Sequence, residues 1–177
     1  MQLLAISGSL RAESSNGALL RAAAQLAPSD VAVTIYEGLA SLPPFDPDVE
    51  ERVLPPAAAD LRQLVAAADG LLIASPEYAH GVAGSLKNAL DWLVGSTEFA
   101  GKPVAIFNAS LSATHAHGQL VEILTTMAAN VVADASLRIP VSRADTSVMV
   151  ITGDPVRAEL VERALDAMRR AIVAARG

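Results

Sequence analysis

The sequence predicts a three-layer α/β sandwich, a five-stranded parallel sheet with helices on both faces. Three observations carry that prediction. Short apolar, β-friendly runs alternate along the chain with alanine-rich stretches of helical spacing. Two of those runs, Leu-Leu-Ile-Ala at 71–74 and Val-Ala-Ile-Phe at 104–107, are apolar without alternation, the pattern of strands buried on both faces. Finally, 177 residues, 52% hydrophobic and 18% charged, suit one folded unit and exclude disorder, so residues 1–177 are expected to form a single domain.

The elements follow in order. Strands are predicted at 3–7, 31–36, 71–75, 104–108 and 147–151, each running out into Gly, Ser, Pro or Asn or into a polar turn. Helices are predicted at 17–26, 57–68, 85–94, 118–129 and 156–175. In the last of these Val156, Leu160, Val161, Ala164, Leu165, Met168, Ile172 and Val173 recur three or four residues apart, one apolar stripe. Asp154 and Pro155 stand where a cap and a first-turn proline belong. Strand–helix alternation implies right-handed crossovers and a sheet covered on both sides. The proline-rich stretch 42–56 reads as a surface excursion, and 134–146 shows no periodicity.

Charge and composition remove several function classes. Thirteen Lys and Arg against 19 Asp and Glu give a net charge of −6 without a run of like charge, which argues against nucleic acid or an anionic membrane as partner. Aromatics at 3% leave no platform for stacked bases. The absence of cysteine excludes a thiol nucleophile, a Cys-bound zinc, an iron–sulfur cluster and any disulfide. No apolar run approaches the roughly 18–20 residues of a membrane span. The first charge, Arg11, follows the first apolar run, the reverse of a signal peptide. A cytoplasmic location is expected.

In sheets of this kind ligands sit beyond the carboxyl ends of the strands, so the loops after strands one, three and four matter most. The first, SGSLRAESSN at 7–16, combines four serines, Arg11 and Asn16 before a helix. Hydroxyls, helix-start N–H groups and a guanidinium suit a phosphate monoester. It is neither a dinucleotide fingerprint nor a P-loop. The bland alternative is a Ser-rich turn in which Ser14 or Ser15 caps the helix. The second, SPEYAHGVAGSLKNALDWL at 75–93, has a stiffening proline, two glycines that permit close backbone approach, and Tyr78 and His80 able to lie against a ring. The alternative there is that Tyr78 and Trp92 are core and Glu77 a solvated carboxylate.

Together these two segments resemble the NADPH-dependent FMN reductase family, which includes quinone, chromate and azo-dye reductases on a flavodoxin-like fold; the resemblance extends over essentially the whole chain. It implies that Ser9, Arg11, Ser15 and Asn16 surround an FMN phosphate, and that Pro76, Glu77 and Tyr78 line the isoalloxazine largely through backbone groups. Ala79 stands where many relatives have Asn, which would leave one flavin contact missing. After the fourth strand, NASLSATHAHGQL replaces a Gly-Gly-containing loop, and Ser110 at its start is carried over as a flavin contact. The resemblance further implies NADPH or NADH as electron donor, a quinone or similar small-molecule acceptor, no catalytic acid or base, and a homodimer or homotetramer; the apolar helix at 85–94 favours such assembly.

Rival chemistries have less support. His115 and His117 are two apart and could face one metal only from a strand or loop, without a nearby carboxylate. A hydrolytic triad drawn from Ser9 or Ser75, His80 and Asp91 lacks the G-x-S-x-G elbow. A flavodoxin-type electron carrier or a flavin-binding module without turnover remains the alternative from another class.

Overall fold

A computed structural model describes residues 1–176. Along the chain run β1 (Gln2–Ser7), α1 (Ser15–Leu26), β2 (Ala32–Ile35), α2 (Pro47–Arg52), α3 (Pro56–Ala67), β3 (Gly70–Ala74), a hairpin of β4 (Glu77–Tyr78) and β5 (Gly81–Val82), and α4 (Gly84–Val94). Then follow β6 (Pro103–Asn108), α5 (His115–Thr126), β7 (Asn130–Val131), β8 (Leu137–Arg138), α6 (Met149–Thr152) and α7 (Pro155–Arg176). The main sheet is parallel throughout, in the order β2-β1-β3-β6-β7, with β8 also pairing with β6.

The uniformly apolar strands have the predicted cause. Along β1, β3 and β6 alternate side chains enter two separate cores. Leu3, Ala5, Leu72, Ala74, Ala105 and Phe107 meet α1, α6 and α7. Leu4, Ile6, Leu71, Ile73, Val104 and Ile106 meet α3, α4 and α5. A period of two with both faces covered produces a run without visible alternation.

The fifth strand is a correction. Residues 147–151, predicted as a strand, turn into α6, and the fifth position is filled by β7 and β8, two residues each. A 3₁₀ turn at Ala133–Ala135 separates them. Ile151 is fully buried against the α1 side, so its apolar run belongs to a helical turn rather than to a ladder.

The excursion after β2 is tied down by α4. Trp92 Nε1 and Asn88 Nδ2 both donate to the Pro43 carbonyl, at 2.8 and 2.9 Å, and Asn88 Oδ1 accepts from the Phe45 N–H at 2.7 Å. Phe45 packs edge-on against the Trp92 ring, with centroids 5.0 Å apart. The apolar stripe of α4 (Leu86, Ala89, Leu90, Trp92 and Leu93) is therefore buried inside the protein, and only Val94 of its large apolar residues is exposed. The sequence argument that this helix offers an assembly face loses its basis. Among the described residues no helix is long and apolar enough to cross a membrane.

Candidate functional site

Strand order reverses between β1 and β3, and the loops at their carboxyl ends open a cleft of about 620 Å³, within the usual range for ligand sites. The β1–α1 loop forms one end. Gly8 N–H donates to the Ala74 carbonyl at 2.7 Å, continuing the ladder past the strand. A Cβ on Gly8 would stand 3.0 Å from Leu86 Cβ, so α4 fits closely here only against glycine. Ser85 Oγ donates to the Gly8 carbonyl at 2.8 Å.

Ser14 caps α1, its Oγ accepting from Gly17 N–H at 3.2 Å. The N–H groups of Ser15 and Asn16, on the first turn, find no acceptor among the described residues, the usual state of a helix start. Asn16 is buried, and its Oδ1 accepts from Ala109 N–H at 3.0 Å across 93 residues of sequence. Arg11 is exposed, and its guanidinium has no ion-pair partner among the described residues. This end of the cleft thus presents free backbone donors, hydroxyls and a cation.

The β3–α4 segment forms the opposite wall. Ser75 Oγ donates to the Pro76 carbonyl at 2.9 Å and accepts from Ala83 N–H at 3.2 Å, closing the base of the hairpin. Ala79 and His80 make its turn with φ of 49° and 59°, both left-handed, as a type I′ turn requires. Gln119 on α5 clamps the hairpin, Nε2 donating to the His80 carbonyl at 3.1 Å and Oε1 accepting from Val82 N–H at 3.3 Å. Glu77 Oε2 accepts from Ala116 N–H at 2.8 Å, capping α5, which has no side-chain cap of its own. The His80 and His115 rings stack, centroids 4.3 Å apart.

The third wall is the loop after β6. Buried Asn108 braces it, Oδ1 accepting from Ser110 N–H and Nδ2 donating to the Ala113 carbonyl, both at 2.9 Å. Ser110 and Ser112 share a hydroxyl contact of 3.0 Å.

Ser9, Arg11, Ser15, Asn16, Pro76, Glu77, Tyr78 and Ser110 all line this one cleft. Ala79 does not; it sits at the tip of the hairpin turn. An Asn at that position suits the left-handed turn, whatever it would add to a ligand contact. Ala79→Gly is therefore expected to raise stability by about 1 kcal/mol, or Tm by roughly 2–4 °C. Calorimetry checks this, and an unchanged or lower Tm would show that the turn is not strained.

The rival constellations do not assemble. Asp91 is paired with Lys87 at 2.5 Å, and Ser75 Oγ is engaged within the hairpin. Among the described residues no three metal-ligating side chains cluster. His117 is half-buried, its Nδ1 without a partner among the described residues; burial and then the Arg138 charge hold its pKa below the usual value. Ser14, Asn108 and Gln119 complete the site. Ser14 was visible as a cap candidate, whereas Gln119 carries no local signal.

The strand order, the switch-point cleft and its three loops define a flavodoxin-like domain. The model of the NADPH-dependent FMN reductase family matches residues 1–142, and the chain belongs to that family. It is 42% identical over 112 residues to an NAD(P)H-dependent FMN reductase of Pseudomonas aeruginosa, covering 62% of this chain and 60% of that protein. It is 38% identical over 114 residues to a quinone reductase of Escherichia coli, covering 63% and 61%. The similarity thus spans about 60% of the length of these curated relatives. A flavoenzyme NAD(P)H:(acceptor) oxidoreductase of Paracoccus denitrificans shares the fold, with a TM-score of 0.75 at 23% identity over 96% of this chain and 98% of that one.

Proposed function

We propose that this chain is an FMN-dependent NAD(P)H oxidoreductase acting on a quinone or similar small acceptor, with residues 1–177 as one FMN-binding domain. One observation carries the reading: free helix-start N–H groups, serine hydroxyls and Arg11 stand at one end of a cleft whose other walls are the hairpin and the Asn108-braced loop. A phosphate fits the first end, and a flat ring fits the others. Bound there, FMN would supply the redox chemistry between NADPH or NADH and the acceptor that no side chain of this chain offers.

The chain's own part is positional. Ser9, Arg11, Ser15 and Asn16 hold the phosphate, Asn16 through its backbone because its Oδ1 is engaged with Ala109. Pro76, Glu77, Tyr78 and Ser110 border the ring, with Glu77 and Gln119 fixing the hairpin against α5. No side chain acts as general acid or base. The names of the relatives, FMN reductase and quinone reductase, support the same activity. The need for reduced nicotinamide supports a cytoplasmic location, and the family resemblance supports a homodimer or homotetramer.

Exposed Tyr78 and Leu111 stand at the cleft. Donor and acceptor would then approach through the same open side of the cleft, the nicotinamide needing about 3–3.5 Å for transfer. They must therefore alternate. Double-reciprocal plots of NADPH oxidation at several quinone concentrations are expected to be parallel, with high quinone competing against NADPH. Intersecting lines would refute the shared face, and no oxidation of NADPH or NADH with FMN supplied would refute the enzyme.

A further inference from the structure

We infer that Arg143 and Arg157, which line the cleft together with Arg11, bind a phosphate monoester there. The inference rests on the flavin reading above and extends it to a part of the chain beyond the family-matched residues 1–142.

Both arginines line the same cleft as Ser9, Arg11 and the start of α1. Arg157 is held from two sides. Its Nε faces Asp154 Oδ2 at 3.4 Å, and its Nη1 donates to the Val150 carbonyl at 3.3 Å. Asp154 Oδ1 in turn accepts from the N–H groups of Val156 and Arg157, which fixes the start of α7. The remaining Nη2 edge of Arg157 has no protein partner among the described residues. Arg143 lies on the loop after β8, exposed and without an ion pair among the described residues.

The charge balance gives the ligand its sign. In a protein of net charge −6, three guanidinium groups share this cleft with only two carboxylates, Glu13 and Glu77. Glu77 is already engaged by the start of α5. Arg11 and Arg143 have no carboxylate partner among the described residues and Arg157 has only Asp154, on its Nε side, so a dianion among the three relieves their mutual repulsion. Guanidinium forks match the oxygens of a phosphate monoester, and Arg157 is pre-oriented for it. Two phosphates have this chemistry: the 5′-phosphate of FMN and the 2′-phosphate that distinguishes NADPH from NADH.

The test uses Arg143→Gln, Arg157→Gln and the double variant in the full chain. Flavin fluorescence measures FMN and riboflavin binding to the flavin-free protein, and steady-state rates of the FMN-loaded protein compare NADPH with NADH. The double variant is expected to lose about tenfold or more in one comparison, with riboflavin or NADH unaffected; the comparison that changes identifies the phosphate. Equal losses for both members of each pair would assign the arginines a structural role and overturn the inference. So would wild-type preferences retained in the double variant. Arg143→Gln, which breaks no hydrogen bond or ion pair among the described residues, keeps the test valid if Arg157→Gln misfolds. A wild-type protein that binds neither FMN nor riboflavin would instead overturn the flavin reading itself.

Discussion

Arg11→Ala is expected to weaken FMN binding roughly 10- to 150-fold, because a hydrogen bond to a charged group is worth about 1.5–3 kcal/mol. Riboflavin, which lacks the phosphate, should bind the variant as well as it binds the parent protein. The structure supports so selective an outcome. Arg11 is exposed and its guanidinium makes no hydrogen bond or ion pair among the described residues, so its removal should leave the fold and Tm unchanged. Asn16 is the instructive contrast. Its buried Oδ1 supports Ala109 N–H, so truncating it would harm the fold and the binding site together. Arg11→Lys should recover only part of the affinity, since an ammonium cannot grip two oxygens through a planar fork. Equal loss for FMN and riboflavin would show that Arg11 acts through loop shape rather than through charge.

Trp92→Ala should produce the largest loss of stability, about 3–5 kcal/mol. Trp92 has no exposed surface and is among the largest fully buried side chains. Its removal leaves a cavity beneath the excursion, takes one of two donors from the Pro43 carbonyl, and strips Phe45 of its edge-on partner. Set against a typical total of about 5–15 kcal/mol, that is a large share, and Tm should fall by roughly 6–20 °C. Proteolysis should then begin between residues 42 and 56, where the anchoring is lost. Trp92→Phe, which keeps most of the packing and loses the N–H, should cost about 1–2 kcal/mol. A loss below 1 kcal/mol for the alanine variant would mean that Asn88 alone secures the excursion.

Local chemistry made much of this molecule readable in advance. The loop at 7–16 and the stretch at 75–93 hold most of the proposed site residues in contiguous positions, and eight of the nine line one cleft. The strands β1, β3 and β6 were readable because burial on both faces leaves an unmistakable apolar run. The fifth strand was not. Four residues split by a 3₁₀ turn are too short to show any period, and the apolar run at 147–151 fits a buried helical turn as well as a strand. Long-range partnerships were equally hidden. Nothing in its neighbours tells Gln119 that it will clamp a hairpin, or Arg157 that it will share a cleft with Arg11. Ala79 was readable as a departure but not in its meaning, which came from a backbone angle.

The division of the fifth strand has a consequence for how copies of this protein can meet. A sheet margin with a long row of unpaired N–H and C=O groups is a template on which another chain can add a strand. Here one margin is β2, four residues long, and the other is β7 and β8, two residues each on either side of a 3₁₀ turn. Neither offers an incoming strand the five or six residues that a stable ladder usually spans. The same brevity keeps the apolar strands within away from amyloid-like stacking as long as the chain stays folded. Short margins of this kind disfavour extension of the sheet from one copy to the next and leave helices and loops as the better surfaces for contact.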